Sequence, residues 1–206
     1  METFIRNDQF NFIKVQAKHL VNGHSTVNDT AVLAALKSLA VEKVLNLFPE
    51  IDTEQKQLLA SIADVRDSHQ AEDFLAGIKP YVIPFKKVTE QTLKKLYPKV
   101  KKLKGPAEKV DFQEISYLSW DDKGTNKRFI VAPYRNKLAG LYGTFRPSSQ
   151  KGICMVCNRH APVGMFMTET KGQAAGTFVK RGNTICQDSQ VCNENLTSLD
   201  KLEAFI

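Results

Sequence analysis

At 206 residues, 42% hydrophobic and 25% charged, the chain has the composition of a soluble globular protein with one large or two small domains. Neither a secretory signal nor a membrane span is expected: METFIRNDQFNF lacks an uninterrupted apolar stretch, and the run AVLAAL (31–36) is far below the roughly 18 residues that span a bilayer. The net charge of +7 is concentrated: eight lysines from Lys86 to Lys104 stand against one acid, Glu90, and the remainder balances at 21 basic and 21 acidic residues.

The first 80 residues carry helical periodicity. Ile13, Ala17, Leu20 and Val21 form one stripe. Leu33, Leu36, Ala40, Val44 and Leu47 form a second, opened by Asp29 as N-cap and closed before Pro49. Asp52 and Gln55 have the spacing of a capping box, followed by Leu58, Ile62 and Val65. A fourth short helix is expected around Ala71 to Gly77, and the short connections favour an antiparallel bundle. KPYVIPFKK, with Pro80 and Pro84, breaks the pattern and sets a boundary between a helical domain (1–84) and a second domain (85–206). In LKKLYPKVKKLK, Leu93, Leu96, Val100 and Leu103 lie on one side, with Pro98 as a break or kink. FQEISYLSW, KRFIVAPYR and LAGLYGTFR then read as strands, with DDKG as a turn and Arg135-Asn136-Lys137 closing a hairpin.

All four cysteines fall in the last 53 residues. Cys154 and Cys157 form C-x2-C; 28 residues separate Cys157 from Cys186, and five separate Cys186 from Cys192. Structural disulfides disagree with the cytoplasmic setting expected of the chain. A redox C-x2-C belongs at a helix start in a βαβ unit, which this segment lacks. Four thiolates around one structural zinc fit best. Two intervening residues form a tight knuckle, and Asn158 tolerates the left-handed turn after it. VGMFMTETKGQAAGTFVKRG reads as two strands joined by a Gly-rich loop that returns Cys186 to the knuckle. Asp188 or Ser189 caps a helix through VCNENLTSLDKLEAF with Cys192 in its early turns, which completes a treble-clef module over about 150–200. His160 competes for a coordination place, but four thiolates already close a tetrahedron and leave no open position for water.

No catalytic machinery is visible: there is no phosphate-binding glycine loop, no G-x-S-x-G and no H-E-x-x-H. Asp121-Asp122 reads as part of a hairpin turn, Ser68-His69 has no acid partner for a triad, and His19 and His24 read as capping or exposed residues near the end of the first helix.

Taken together these pieces resemble the FusB-type fusidic acid resistance proteins, also called elongation factor G-binding proteins. The matching stretches are QFNFIK, Tyr81 to Phe85 (YVIPF), the basic text at Lys99 to Lys104, GLYG (Gly140 to Gly143), KGICMVCN, FVKRG, ICQDSQVCN and the terminal LEAFI, in order along essentially the whole chain. The resemblance implies an α+β protein with a helical N-terminal bundle, followed by an α/β domain containing a treble-clef zinc finger. It further implies binding of elongation factor G, mainly through the zinc-bearing domain, and release of that factor from ribosomes stalled by fusidic acid. No drug chemistry is required.

Lys180, Arg181, Ile153, Met155 and Phe205 lie near the expected metal frame and are candidates for the partner surface. A monomer without a membrane partner is expected. The competing reading is an RNA- or ribosome-binding zinc protein that uses the 86–104 lysines. The stretch from Lys151 onward carries six basic and five acidic residues, and that near-neutrality argues against direct nucleic-acid contact by the finger.

Overall fold

Side-chain oxygens set the helix starts in the first part of the chain. Asp29 accepts from the amides of Ala31 (2.8 Å) and Val32 (3.2 Å) to open α2 (Thr30–Leu45). Asp52 and Gln55 exchange reciprocal bonds to open α3 (Thr53–Ala60), and Asp67 caps α4 (Ser68–Ile78). Ahead of these, α1 (Asn7–Thr26) begins where the Gln9 side chain accepts from the Arg6 amide.

The computed structural model describes residues 1–100, 103–106, 110–171 and 177–206. The chain divides into two compact units, Met1–Ile83 and Pro84–Ile206. Among the described residues no helix is long and apolar enough to cross a membrane.

In the N-terminal unit Ile13, Ala17, Leu20, Ala40, Val44, Ile62 and Val65 of the expected stripes are buried in one core together with Leu59 and Ile78, while Leu36 and Leu58 pack half-buried against it. Two details differ from the sequence pattern. The third helix stops at Ala60 and a 3₁₀ turn over Ser61–Asp64 carries Ile62 inward, and Leu47 lies beyond the end of α2. The ends of the unit meet: Ile5 pairs with Val82, and Tyr81 accepts from the amides of Phe4 and Ile5.

The C-terminal unit holds a five-stranded antiparallel sheet in the order β1-β2-β3-β4-β5. The strands are β1 (Leu118–Asp122), β2 (Lys127–Tyr134), β3 (Lys137–Ile153), β4 (His160–Lys171) and β5 (Phe178–Cys186). The expected Arg135-Asn136 hairpin is present, both residues taking positive φ (46° and 63°) between Tyr134 and Lys137, as a primed two-residue turn requires. β3 changes partner midway, pairing with β2 through Gly143 and with β4 from Thr144 onward, with a register shift between Pro147 and Lys151.

Helix α5 (Glu90–Leu96) and the chain around it cover one side of β1–β3. Leu96, Val100 and Leu103 pack with buried Leu93 against the same core, yet only the first turns are helical, because Pro98 ends α5. Tyr97 donates its hydroxyl to the Ile130 carbonyl (2.7 Å) and meets Phe129 edge to face at 5.1 Å. This packing explains GLYG: a Cβ at Gly140 would lie 2.8 Å from the Tyr97 ring, and one at Gly143 would lie 2.2 Å from the Met167 carbonyl oxygen.

Three expectations need correction. FQEISYLSW is not one strand; β1 begins at Leu118, because the amides of Ser116 and Tyr117 turn to Asn193 instead of a neighbouring strand. Asp121 and Asp122 lie in β1, and the turn falls two residues later. Asp121 is held opposite Arg128, and Asp122 accepts from Thr125 across that turn. The terminal segment forms two helices, α6 (Ser189–Asn195) and α7 (Asp200–Phe205). Leu196 and Leu202 are both buried, yet on an unbroken helix they would point about 120° apart; the break lets both enter one core.

Asn193 stitches α6 to the chain ahead of β1. Its Oδ1 accepts from Ser116 (2.7 Å) and Tyr117 (3.1 Å), and its Nδ2 donates to the carbonyls of Tyr117 (3.0 Å) and Ser189 (2.9 Å). Asn193→Ala removes an acceptor shared by two buried amides and is expected to destabilise this unit by about 3 kcal/mol in denaturant titration; a change below ~1 kcal/mol would contradict the role given to it.

Candidate metal centre

The knuckle that carries the first two thiols is built by its own backbone. Cys154 donates its amide to the Arg159 carbonyl (3.0 Å), and Asn158 donates back to the Cys154 carbonyl (2.9 Å). Asn158 takes φ 58°, the left-handed turn expected of it, and its side-chain oxygen accepts from Lys201 on α7. Cys186 ends β5, and Asp188 caps α6 through Gln190 and Val191, which sets Cys192 on the first turn of that helix.

These elements bring all four sulfurs together. Each lies within 4.8 Å of the others and all four residues are buried. The Cys154–Cys192 and Cys157–Cys186 sulfur separations are 3.8 and 3.7 Å, far beyond the ~2.05 Å of a disulfide. Amides of Val156 (3.4 Å) and Cys186 (3.3 Å) point at the Cys154 sulfur, an arrangement suited to a thiolate. Hydrogen bonding from Cys157 first, then from Cys186 and Cys192, holds the Cys154 thiol well below its ordinary range, and hydrogen bonding to Cys154 pushes Cys186 and Cys192 up. Four crowded thiols cannot all ionise unaided; a cation among them removes that conflict, and this cluster can hold one metal ion. His160 is exposed at the start of β4 and is not part of the cluster.

Two supporting residues were not singled out from sequence. Arg128 is buried, bonded to both oxygens of Asp121 (2.7 Å each) and donating to the carbonyls of Cys186 (2.9 Å) and Gln187 (2.8 Å). Its guanidinium lies 3.5 Å from the Phe145 ring centroid. Tyr117 is buried beside Cys192; burial first, then that thiol, push its phenol up, so it remains a donor. An arginine leading directly into the apolar run FIVA was the available signal for the first; Tyr117 has no local signal.

The structure distributes the candidate partner residues over two surfaces. Arg181 and Met155 line a groove of about 440 Å³ with Gly182, Asn183, Lys201, Ala204 and Phe205. Phe205 is half-buried, its ring 5.8 Å from Phe166, so it packs on its own unit while closing the groove. Met155 and Ile153 are 51% and 53% exposed, and Ile153 stands at the end of β3 outside the groove. Lys180 precedes Arg181 on β5 and therefore projects from the opposite face, where it meets Glu169 at 3.6 Å. Six members of the lysine run are exposed; Lys101 and Lys102 lie outside the described residues, as does the Gly-rich loop at 172–176.

Residues 4–86 match the family described as elongation factor G-binding protein, N-terminal. No curated protein sequence matches the chain. Among solved structures, the fusidic acid resistance protein FusC is 33% identical with a TM-score of 0.86, the match covering 98% of this chain and 95% of that one. A likeness over 98% of this chain takes in both the helical unit and the unit that holds the five-stranded sheet. The chain is therefore a member of the FusB-type fusidic acid resistance protein family, whose members bind elongation factor G and are not enzymes.

Proposed function

We propose that this chain binds elongation factor G as a single copy in the cytoplasm, promotes its release from ribosomes stalled by fusidic acid, and thereby gives resistance without altering the drug. The observation that carries this reading is the groove of Met155, Arg181 and Phe205 built directly on the four-thiol frame. Exposed methionine, an aromatic floor and cations are the side chains that make protein contacts strong. Ile153, outside the groove, and Lys180, on the opposite face of β5, are further candidates for contact.

In this reading the frame is a treble clef closed by one structural zinc on Cys154, Cys157, Cys186 and Cys192. A ZnS4 tetrahedron with arms of ~2.3 Å has edges of ~3.8 Å, which the shorter sulfur separations of 3.7 and 3.8 Å match. With four protein ligands the ion has no open position; its work is to fix the knuckle, β5 and α6 relative to one another.

Elemental analysis of the purified chain is expected to give one zinc per molecule, and chelation or Cys154→Ser to unfold residues 84–206 cooperatively. A metal-free protein with an unshifted unfolding transition would rule the structural zinc out. In titration with purified elongation factor G, Arg181→Ala combined with Met155→Ala is expected to weaken binding at least about tenfold with the fold intact. No complex between the wild-type chain and the factor at micromolar concentration would sink the function, and chemically altered fusidic acid after incubation would replace it with an enzymatic one.

A further inference from the structure

The strand that lines the groove also has a free edge. β5 is last in the sheet and pairs with β4 alone, in a register that runs unbroken from Cys186 to Phe178. Which backbone groups face outward follows from its anchored end. The Thr184 carbonyl turns away from β4 to the Met155 amide (2.8 Å), and the Cys186 amide turns to the Cys154 sulfur (3.3 Å). In an antiparallel ladder every second residue turns both N–H and C=O the same way, so Lys180 and Gly182 present theirs to the outer edge. No described residue takes them. At the other end of the sheet the Ser119 carbonyl of β1 accepts from Ser189, so that edge is partly covered.

An open edge is a template for another strand, and proteins ordinarily blunt it. Here the surroundings favour one kind of occupant. Met165 and Met167 share the face of Gly182, and both are well exposed, at 44% and 39%. They offer an adaptable apolar bed beside the edge. Lys180 stands on that face and Arg181 on the other, so an incoming strand with two neighbouring acidic residues sends one to each cation.

We propose that the outer edge of β5 at Lys180–Gly182 receives an extended, acid-bearing segment of the bound factor as a sixth strand, by main-chain hydrogen bonding. The inference rests on the factor-binding reading and goes further, since the groove alone needs no strand pairing.

Amide hydrogen exchange on the full chain, with and without purified elongation factor G, reads the edge directly. The Lys180 and Gly182 amides are expected to slow at least about tenfold in the complex. Gly182→Pro removes one outward N–H at a position where an edge strand accepts proline, and is expected to weaken the complex about tenfold. Unslowed amides in a formed complex, or a folded Gly182→Pro chain that binds as wild type does, overturn the proposal. If Gly182→Pro fails to fold, wild-type exchange decides. Absence of any wild-type complex refutes factor binding itself, a different result from a complex with both amides unprotected. A free chain that sediments as a dimer, and that Gly182→Pro returns to monomer, overturns the proposal in favour of edge pairing between two copies.

Discussion

A buried guanidinium holds the corner on which the C-terminal unit turns. Arg128 sits near the start of β2 and reaches the carbonyls of Cys186 and Gln187, where β5 ends and the chain bends into α6. Removing such a charge from water costs several kcal/mol, and the cost is met only if each donor finds an acceptor. Asp121 supplies two, from the adjacent strand, and the Phe145 ring lies against the cation. The same corner carries Cys186 and, a turn later, Cys192. The position of half the thiol cluster therefore depends on an ion pair between β1 and β2, far away in sequence.

The four thiols and this ion pair divide the labour. The thiols bring the knuckle, β5 and α6 to one point, and Arg128 with Asn193 joins that point to the first two strands. The groove lies just outside, walled by β5 on one side and α7 on the other, with Lys201 tied back to the knuckle at Asn158. The backbone that carries the groove is therefore held in place by the thiol corner and by Lys201, which limits the ordering needed to present its side chains.

Much of this was legible because it is local. Asp29, the Asp52–Gln55 pair and Arg135-Asn136 act on backbone within three residues, and their chemistry reads directly from the chain. The C-x2-C knuckle with Asn158 is equally local, and composition placed the charge outside it. The failures share the opposite property. Asp121-Asp122 has a turn's composition, but a cation on the next strand extended β1 through it. The terminal helix breaks because Leu196 and Leu202 both answer to one core. Asn193 serves amides 76 and 77 residues away, and no window of sequence displays that. That Lys180 and Arg181 face apart is legible from strand periodicity alone, once β5 is known to be a strand.

The connectivity also orders assembly in time. Every strand pairs with its sequence neighbour, so the sheet grows by hairpin closures that cost little chain entropy. The bonds that lock it span 58 residues from Arg128 to Cys186 and 77 from Ser116 to Asn193. Both wait for Cys186 and Asn193 to emerge. During synthesis the first strands can pair before the thiol corner exists, and that corner closes only once Cys192 has joined the other three thiols.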